Sequence, residues 1–483
     1  MEYTISIEFK IDNNLSGNFD NFIESFRLKL FDEGRKWIAE QFEKRDDELA
    51  AKRDKSRYRD KGKRATTIKT VIGDIQYSRR VYLDNNAEDD SNKFVYLLDE
   101  DLGLKKIGDF TPGLSSKIIQ LIPECSYRES ARQMSDYTGS SISAMALWNV
   151  VQKVGERGIN YIDRQTELHQ NGQGTGKLES KLLYEENDGI FLSMQGKDRA
   201  KNPYGKEMKV GVGYSGVQYI PYGKGKIRRK LTDKVSYARI ESAADFHRHK
   251  TGLISSVYNY DEIDQIIVNG DGAGWIFPSG EDCIKVLDVF HRNKKVKECV
   301  KNKDIAKVIY ELLYKGKYDE MFECIEAYTN SLEDKNEIDG LKTLYKYYSE
   351  NRKYLSKYSK RGIEILPTRK PGEIHHARLG SMESNVFTLI GNRMKGRRAC
   401  WSIKGANNLA TIISLTRTTG VEILFDELPS KPVEIECEPM DLGTTLSASK
   451  IQKTVGEGYE YYMQGSLANQ SKWLKDIAYS VKA

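Results

Sequence analysis

The sequence predicts an α/β protein: a mixed-sheet core, an inserted all-α domain and a mostly helical N-terminal region. Three observations carry this. Beyond residue 177 the apolar pattern becomes strand-like, in the order three strands, helix, strand, helical turn, strand. From about 292 to 360 the chain is rich in Lys, Glu and Tyr with a helical pattern, too long for a loop. The first 170 residues carry mostly helical patterns, interrupted by one hairpin.

The N-terminal elements follow in order. Phe19, Phe22, Ile23, Phe26 and Leu30, then Trp37, Ile38 and Phe42, recur at near-helical spacing and predict an amphipathic helix over 18–43. From Lys52 to Arg64 eight of thirteen residues are Lys or Arg. This run reads as a solvated linker or as an arm that lays Arg57, Lys63 and Arg64 on phosphates. Thr67–Ile72, a Gly73-Asp74 turn and Ile75–Tyr82 predict a β-hairpin. Ser126-Tyr-Arg-Glu129 has capping-box spacing for a helix that ends near Thr138-Gly139. Ser140-Ser141 then caps a second helix bearing Ile142, Met145, Leu147, Val150 and Val151. The pair is a helix-turn-helix or an ordinary helical hairpin. In the first case Ser141 and Ser143 open the recognition helix. The polar, Gly-rich stretch 170–177 marks a domain boundary.

In the core, strands are expected at 182–194, 208–214, 235–240, 263–269 and 284–288, with a helix at 244–260. The first three form an antiparallel meander, and the other two are reached through helices. A break at Leu366-Pro-Thr-Arg-Lys-Pro-Gly closes the insertion. Helices are expected over 382–393 and 407–416. The expected domains are 1–110 (helix, basic arm, hairpin), 111–170 (helix-turn-helix-like), 178–291 (core, first part), 292–372 (insertion), 373–420 (core, second part) and 421–483 (tail).

Composition narrows the function classes. At 39% hydrophobic and 30% charged, the chain reads as a soluble protein with much exposed helix. No apolar run approaches the roughly 18 residues of a membrane span. The first ten residues lack the plan of a signal peptide, which points to the cytoplasm. The six cysteines, at 125, 283, 299, 324, 400 and 437, form no Cys-x-x-Cys pair, so neither disulfides nor a structural zinc is expected. A net charge of +6 permits a nucleic-acid partner.

Three acids stand out by context. The run Ile266-Ile-Val-Asn-Gly-Asp271 brings a carboxylate to a strand end and stops at Gly272, Gly274 and Trp275. Asp188 follows an apolar strand and precedes Gly189. Glu383 opens a helix after the insertion. Glu185 and Glu186 compete with Asp188, since a short register error exchanges them, and Glu373 competes with Glu383. Carboxylates on adjacent strands lie about 5 Å apart, and such a cluster repels itself unless a divalent cation neutralises it. Oxygen donors without convergent Cys or His favour Mg²⁺ or Mn²⁺. Two such ions about 4 Å apart serve phosphoryl transfer.

The stretches Tyr184-Glu-Glu-Asn-Asp188-Gly, Asn269-Gly-Asp271-Gly-Ala-Gly-Trp-Ile, Met382-Glu-Ser-Asn-Val and Gly391-Asn-Arg-Met-Lys-Gly-Arg-Arg-Ala-Cys-Trp-Ser402 resemble the ISLre-type bacterial insertion-sequence transposases, relatives of the mutator-like DDE enzymes. The resemblance runs from the hairpin to about residue 415. It implies an RNase H-like catalytic core with a helical insertion between the second and third acids. It assigns Asp188, Asp271 and Glu383 as the metal-binding triad, with separations of 83 and 112 residues. Asn187 departs from it, standing where the family usually has a small residue. Asp288-Val-Phe-His291 is similar to the element that follows the second acid in mutator-like enzymes; His291, supported by Asp288, either orients a DNA phosphate or the scissile region, or is bonded to its own strand end. Arg393, Lys395, Arg397 and Arg398 with Trp401 suit a DNA backbone and an unstacked base.

The expected function is that of a transposase that cuts element ends and joins them to target DNA. Its expected partners are double-stranded DNA (terminal inverted repeats and target) and a second copy of itself. A structure-selective nuclease and a non-catalytic DNA-binding relative are the alternatives.

Overall fold

A first helix, α1 (Phe19–Lys52), runs for 34 residues and absorbs the start of the basic run. It extends past the expected end because residues 43–51 are mostly good helix formers. Leu49 also continues the face of Ile38, Ala39 and Phe42 that packs on the hairpin core of Ile68, Ile75, Tyr77 and Leu98. The expected core face holds only in this second half: Phe19, Ile23, Phe26 and Leu30 are exposed. The computed structural model describes residues 19–87, 93–223, 225–278, 283–396 and 398–425. The strand-like N-terminus, Arg397, Cys437 and nearly all of the 421–483 tail lie outside them.

Strands β1 (Tyr58–Thr70) and β2 (Gly73–Asp84) form the predicted hairpin, closing at Thr70 opposite Gly73. The basic run is therefore mostly strand. Arg57 donates to Asp84 (2.9 Å) and Lys63 pairs with Asp47 (3.0 Å), while Arg64 stays exposed. Strand β3 (Phe94–Val95) and helices α2 (Leu97–Asp101) and α3 (Pro112–Leu121) lead to α4 (Tyr127–Thr138) and α5 (Ala144–Gln170). Ser126 caps α4 through the Glu129 N–H, and Gly139 ends it at φ 68°. The cap of α5 is Ser143, accepting from Ala146 N (3.1 Å), in place of the expected Ser140-Ser141. Ser140 instead accepts the Asp74 N–H of the hairpin (2.9 Å), and the Ser141 carbonyl accepts from Lys69 (3.2 Å).

The central sheet is built from β4 (Leu182–Leu192), then, after the short α6 (Gly196–Lys201), β5 (Lys206–Tyr214). A separate two-stranded ribbon, β6 (Gly216–Pro221) and β7 (Ile227–Thr232), precedes β8 (Val235–Arg239). Helix α7 (Ala243–Ser255) leads to β9 (Gln265–Gly270) and β10 (Ile284–Leu287). The order is β10-β9-β4-β5-β8. β4, β5 and β8 are antiparallel neighbours; β9 runs parallel to β4 and β10 parallel to β9. This is the expected meander followed by two strands reached through crossovers.

The insertion comprises α8 (Val289–Cys299), α9 (Lys303–Lys315), α10 (Tyr318–Asn330) and α11 (Lys335–Glu350). Val296, Ile309, Leu313, Met321, Ile325, Leu341, Leu344 and Tyr348 give it its own core. The chain returns through α12 (Met382–Val386), continues as a π-helical stretch to Lys395, and leads into α13 (Ile403–Thr418). α13 crosses α5 closely. A Cβ on Gly155 would stand 2.5 Å from that of Asn408, so only glycine fits there. α5 thus belongs to the same core as the sheet, on the far side of the expected boundary at 170–177. No described helix is long and apolar enough to cross a membrane.

Candidate functional site at the strand ends

Side chains alternate across a strand, so Glu186 and Asp188 point to one face of β4 and Glu185 and Asn187 to the other. On the second face Lys250 of α7 hydrogen-bonds Glu185 and donates to Asn187 (3.0 Å), a buried arrangement in which Glu185 is fully occupied. On the first face the register does the positioning. Glu186 lies opposite Asn269 of β9, and Leu287 of β10 opposite Gly270. Continuing both pairings brings Asp188, Asp271 and Asp288 to one level, where β9 and β10 end and β4 runs on past them, about 5 Å per step. The Asp288 N–H donates to the Gly270 carbonyl (2.8 Å), which holds that level.

Glu383 arrives from the far side of the insertion, and a buried carboxylate brings it in. Glu186 accepts from Gly380 N (2.8 Å), Ser381 N (3.1 Å), the Ser381 hydroxyl (2.5 Å), the Tyr214 hydroxyl (2.7 Å) and Asn269 Nδ2 (2.9 Å). These bonds dock the turn that begins α12. Glu186 is therefore a positioning residue for the third acid and not a substitute for Asp188. Glu373, the alternative to Glu383, is exposed and stands 3.8 Å from Lys370.

Asp188, His291 and Glu383 each offer a ligand atom within 4.8 Å of the other two. Asp271 stands beside this group. Its Oδ1 accepts the Ala273 N–H (2.8 Å) around Gly272 (φ 88°), and Tyr347 of α11 donates to its backbone carbonyl (2.8 Å). His291 bridges two acids, with Nδ1 3.2 Å from Asp288 and Nε2 3.9 Å from Asp188.

Electrostatics follow from this geometry. Burial, with Asp271 and Glu383 adding negative charge, pushes the Asp188 carboxyl up to about 6 against the pull of His291 and of the Gly189 N–H. The hydrogen bond to Asp288, then the Asp188 charge, raises the His291 imidazole despite its burial. Burial alone would raise Asp288, but the bonds from His291 and Asn269 outweigh it and hold it below the usual carboxylate range. The site thus gathers four carboxylates, Asp188, Asp271, Asp288 and Glu383, around one imidazole whose proton affinity the first three raise. Carboxylate oxygens with a single imidazole could hold a hard divalent cation such as Mg²⁺ or Mn²⁺.

The remaining residues expected to touch DNA are distributed differently. Trp401 is 7% exposed and its indole N–H donates to the Met394 carbonyl (2.8 Å), so its ring packs in the core and offers no face to a base. Arg393 lies 5.4 Å over both Tyr127 and Trp401 and donates to the Ile122 carbonyl (2.7 Å). It fastens the π-helical stretch to the loop between α3 and α4. Lys395 and Arg398 are exposed, as are Ser141 and Ser143. Sequence reasoning missed Glu186 as a support, together with Tyr214, Asn269 and Tyr347. The available signal was parity: Tyr184, Glu186 and Asp188 share a face.

Fold and site together define a mixed α/β protein with a carboxylate and imidazole cluster where β9 and β10 end beside β4. The chain belongs to the family described as Uncharacterised protein family (UPF0236), whose model matches residues 13–423. Among its relatives are UPF0236 proteins of Caldanaerobacter subterraneus subsp. tengcongensis. One is 24% identical over 361 residues, covering 73% of this chain and 68% of the relative. Another, 24% identical over 360 residues with the same coverage, is named for eleven loci of that genome. Among solved structures, the Mos1 strand transfer complex is similar at 11% identity, covering 50% of this chain and 78% of that one, with a TM-score of 0.13. The pre-cleavage Mos1 transpososome is similar at 11% identity, covering 53% and 80%, also with a TM-score of 0.13. These scores are far below those of a shared fold, and the site stands on its own geometry.

Proposed function

We propose that this chain is a DDE-type DNA transposase with an RNase H-like core. The observation that carries the reading is the register that sets Glu186 opposite Asn269, each two residues before an acid (Asp188 and Asp271), joined to the docking of Glu383 within 4.8 Å of Asp188 and His291. The sheet order β10-β9-β4-β5-β8, with one helical insertion between the second and third acids, supports the RNase H-like reading. A relative named for eleven loci of one genome adds support, because a transposed gene multiplies.

Asp188, Asp271 and Glu383 would hold two Mg²⁺ or Mn²⁺ ions. When bound, such ions make a water or 3′-hydroxyl nucleophilic and stabilise the leaving oxygen. The chain's own residues do the rest. The Asp288 hydrogen bond raises the His291 imidazole beside Asp188, which favours the charged form where a phosphate oxygen would sit. Glu186 fixes the distance between Glu383 and the strand ends. Exposed Lys395, Arg398 and Arg64 contribute positive charge for the DNA backbone. The substrates would be the inverted repeats at the element ends and the target duplex, in the cytoplasm at the nucleoid. A homodimer would pair the two ends.

Asp271→Asn tests this. It should abolish Mg²⁺-dependent nicking of supercoiled plasmid while leaving DNA retention intact, and unchanged nicking sinks the assignment. Joined products from the native protein separate a transposase from a nuclease that only cuts.

A further inference from the structure

We infer that the β6–β7 ribbon is a separate DNA-contacting element that enters a groove of duplex DNA away from the acid cluster. Residues 216–232 contain five cations, Lys224, Lys226, Arg228, Arg229 and Lys230, and no acid. Lys224 lies outside the described residues. The other four are exposed, and none forms an ion pair with an acid among the described residues. Nearby ion pairs, Lys209 with Glu207 and Arg369 with Asp233, leave them out.

The register sorts the ribbon into two faces. Tyr219 is opposite Arg229, and the Tyr219 ring is 5.2 Å from that of His375 on the protein body. Gln218 is opposite Lys230, and Ile220 is opposite Arg228, so these four share the other face. Arg228 and Lys230 stand about 7 Å apart there and repel each other. A two-stranded ribbon gains little stability by itself. This one is held to the body at its root, where Val217 and His375 exchange two backbone hydrogen bonds (2.9 and 2.8 Å), and by the Tyr219 ring on His375. A self-repelling, acid-free ribbon calls for a polyanion.

Shape and chemistry favour duplex DNA. A two-stranded β-ribbon fits the major groove of B-DNA, and Arg, Lys and Gln are the side chains that read base edges there. The deep, narrow major groove of an RNA duplex does not admit it. The root lies at Tyr214, paired with Tyr184, four residues of register before Asp188 and so about 13 Å along the sheet. The ribbon therefore leaves the sheet at the end opposite the acids and meets DNA beyond the scissile phosphate. The inference rests on the proposed DNA-processing role for the identity of the polyanion and for the place of the scissile phosphate.

The test is the salt dependence of binding to a labelled duplex in EDTA, comparing the full chain with Arg228→Ala/Lys230→Ala. A Lys342→Ala/Lys346→Ala variant on α11 loses the same charge elsewhere. The ribbon variant should flatten the slope of log K against log salt by about 1.8 and weaken binding roughly 10- to 100-fold near 0.1 M salt. The α11 variant should match the native chain. An unchanged ribbon slope overturns the inference, as does tighter native binding to phosphatidylserine vesicles than to duplex. Circular dichroism of both variants checks the fold, and Gln218→Ala/Ile220→Ala, on the same face as Arg228 and Lys230, gives a second, charge-neutral probe that should also weaken binding. The proposed catalytic role fails separately. Loss of the ribbon effect with Mg²⁺-dependent nicking intact removes only the ribbon, while a full ribbon effect without nicking removes only the acid site's role.

Discussion

Replacing Asp188 by Asn should stabilise the protein while disabling its site. The folded chain raises the Asp188 carboxyl from an ordinary 3.8 to about 6. It therefore holds the proton more tightly than the unfolded chain does. By linkage, the native state is least penalised below about pH 4, loses stability as pH rises toward 6, and carries the full penalty above that. Two pKa units at 1.36 kcal/mol each amount to about 3 kcal/mol. The side chain is 12% exposed, so solvent screens little of this. Asn removes the charge, keeps the shape and can still accept the Gly189 N–H. Without divalent cations near neutral pH, D188N should thus be more stable by up to about 3 kcal/mol, and the difference should vanish near pH 4. Adding Mg²⁺ should stabilise the native chain and leave D188N unmoved. Urea unfolding at the two pH values, with and without Mg²⁺, reads all of this. A D188N chain no more stable than native at neutral pH in EDTA would refute the reasoning, because the charge repulsion would then not exist.

Two further predictions probe the supports. Glu186→Gln leaves every proposed ligand in place but loosens the turn before α12, so Mn²⁺ binding measured by calorimetry should weaken roughly ten- to a hundredfold; native affinity would remove Glu186 from its positioning role. Asp288→Asn should lower the His291 titration midpoint seen by NMR, since the Asp288 bond is the main cause of its raised value. The imidazole's stabilising charge, present in the native chain below the ordinary histidine range and lost as pH rises through the raised folded value, would then disappear at lower pH; an unmoved midpoint counts against the bridge.

How far the sequence could be read depended on whether a signal was local. Asp271 was legible because an apolar run, an acid and closely spaced glycines lie within ten residues, and its position at the rim follows from them. The order of core strands and helices along the chain was legible because their periods alternate openly, but the pairing of β9 with β4 and the separate β6–β7 ribbon were not, since no local pattern sets them. Glu186 was not, because its donors come from residues 214, 269, 380 and 381, and only parity hinted that it faced them. The basic run misled in part, since Arg57 and Lys63 have acidic partners at 84 and 47 that nothing nearby announces. Trp401 looked like a surface aromatic among cations; its neighbours Met394 and Arg393 enclose it instead.

The bond from Tyr347 to the Asp271 carbonyl gives the insertion a second meaning. The helical insertion between β10 and α12 has one hydroxyl seated in the loop of the second acid, so it is coupled to that loop as a lever is to its fulcrum. A load applied to α11, whether a second protomer or a stretch of duplex, would reach the Asp271 loop through that hydrogen bond and through Asn351, which packs against Gly272.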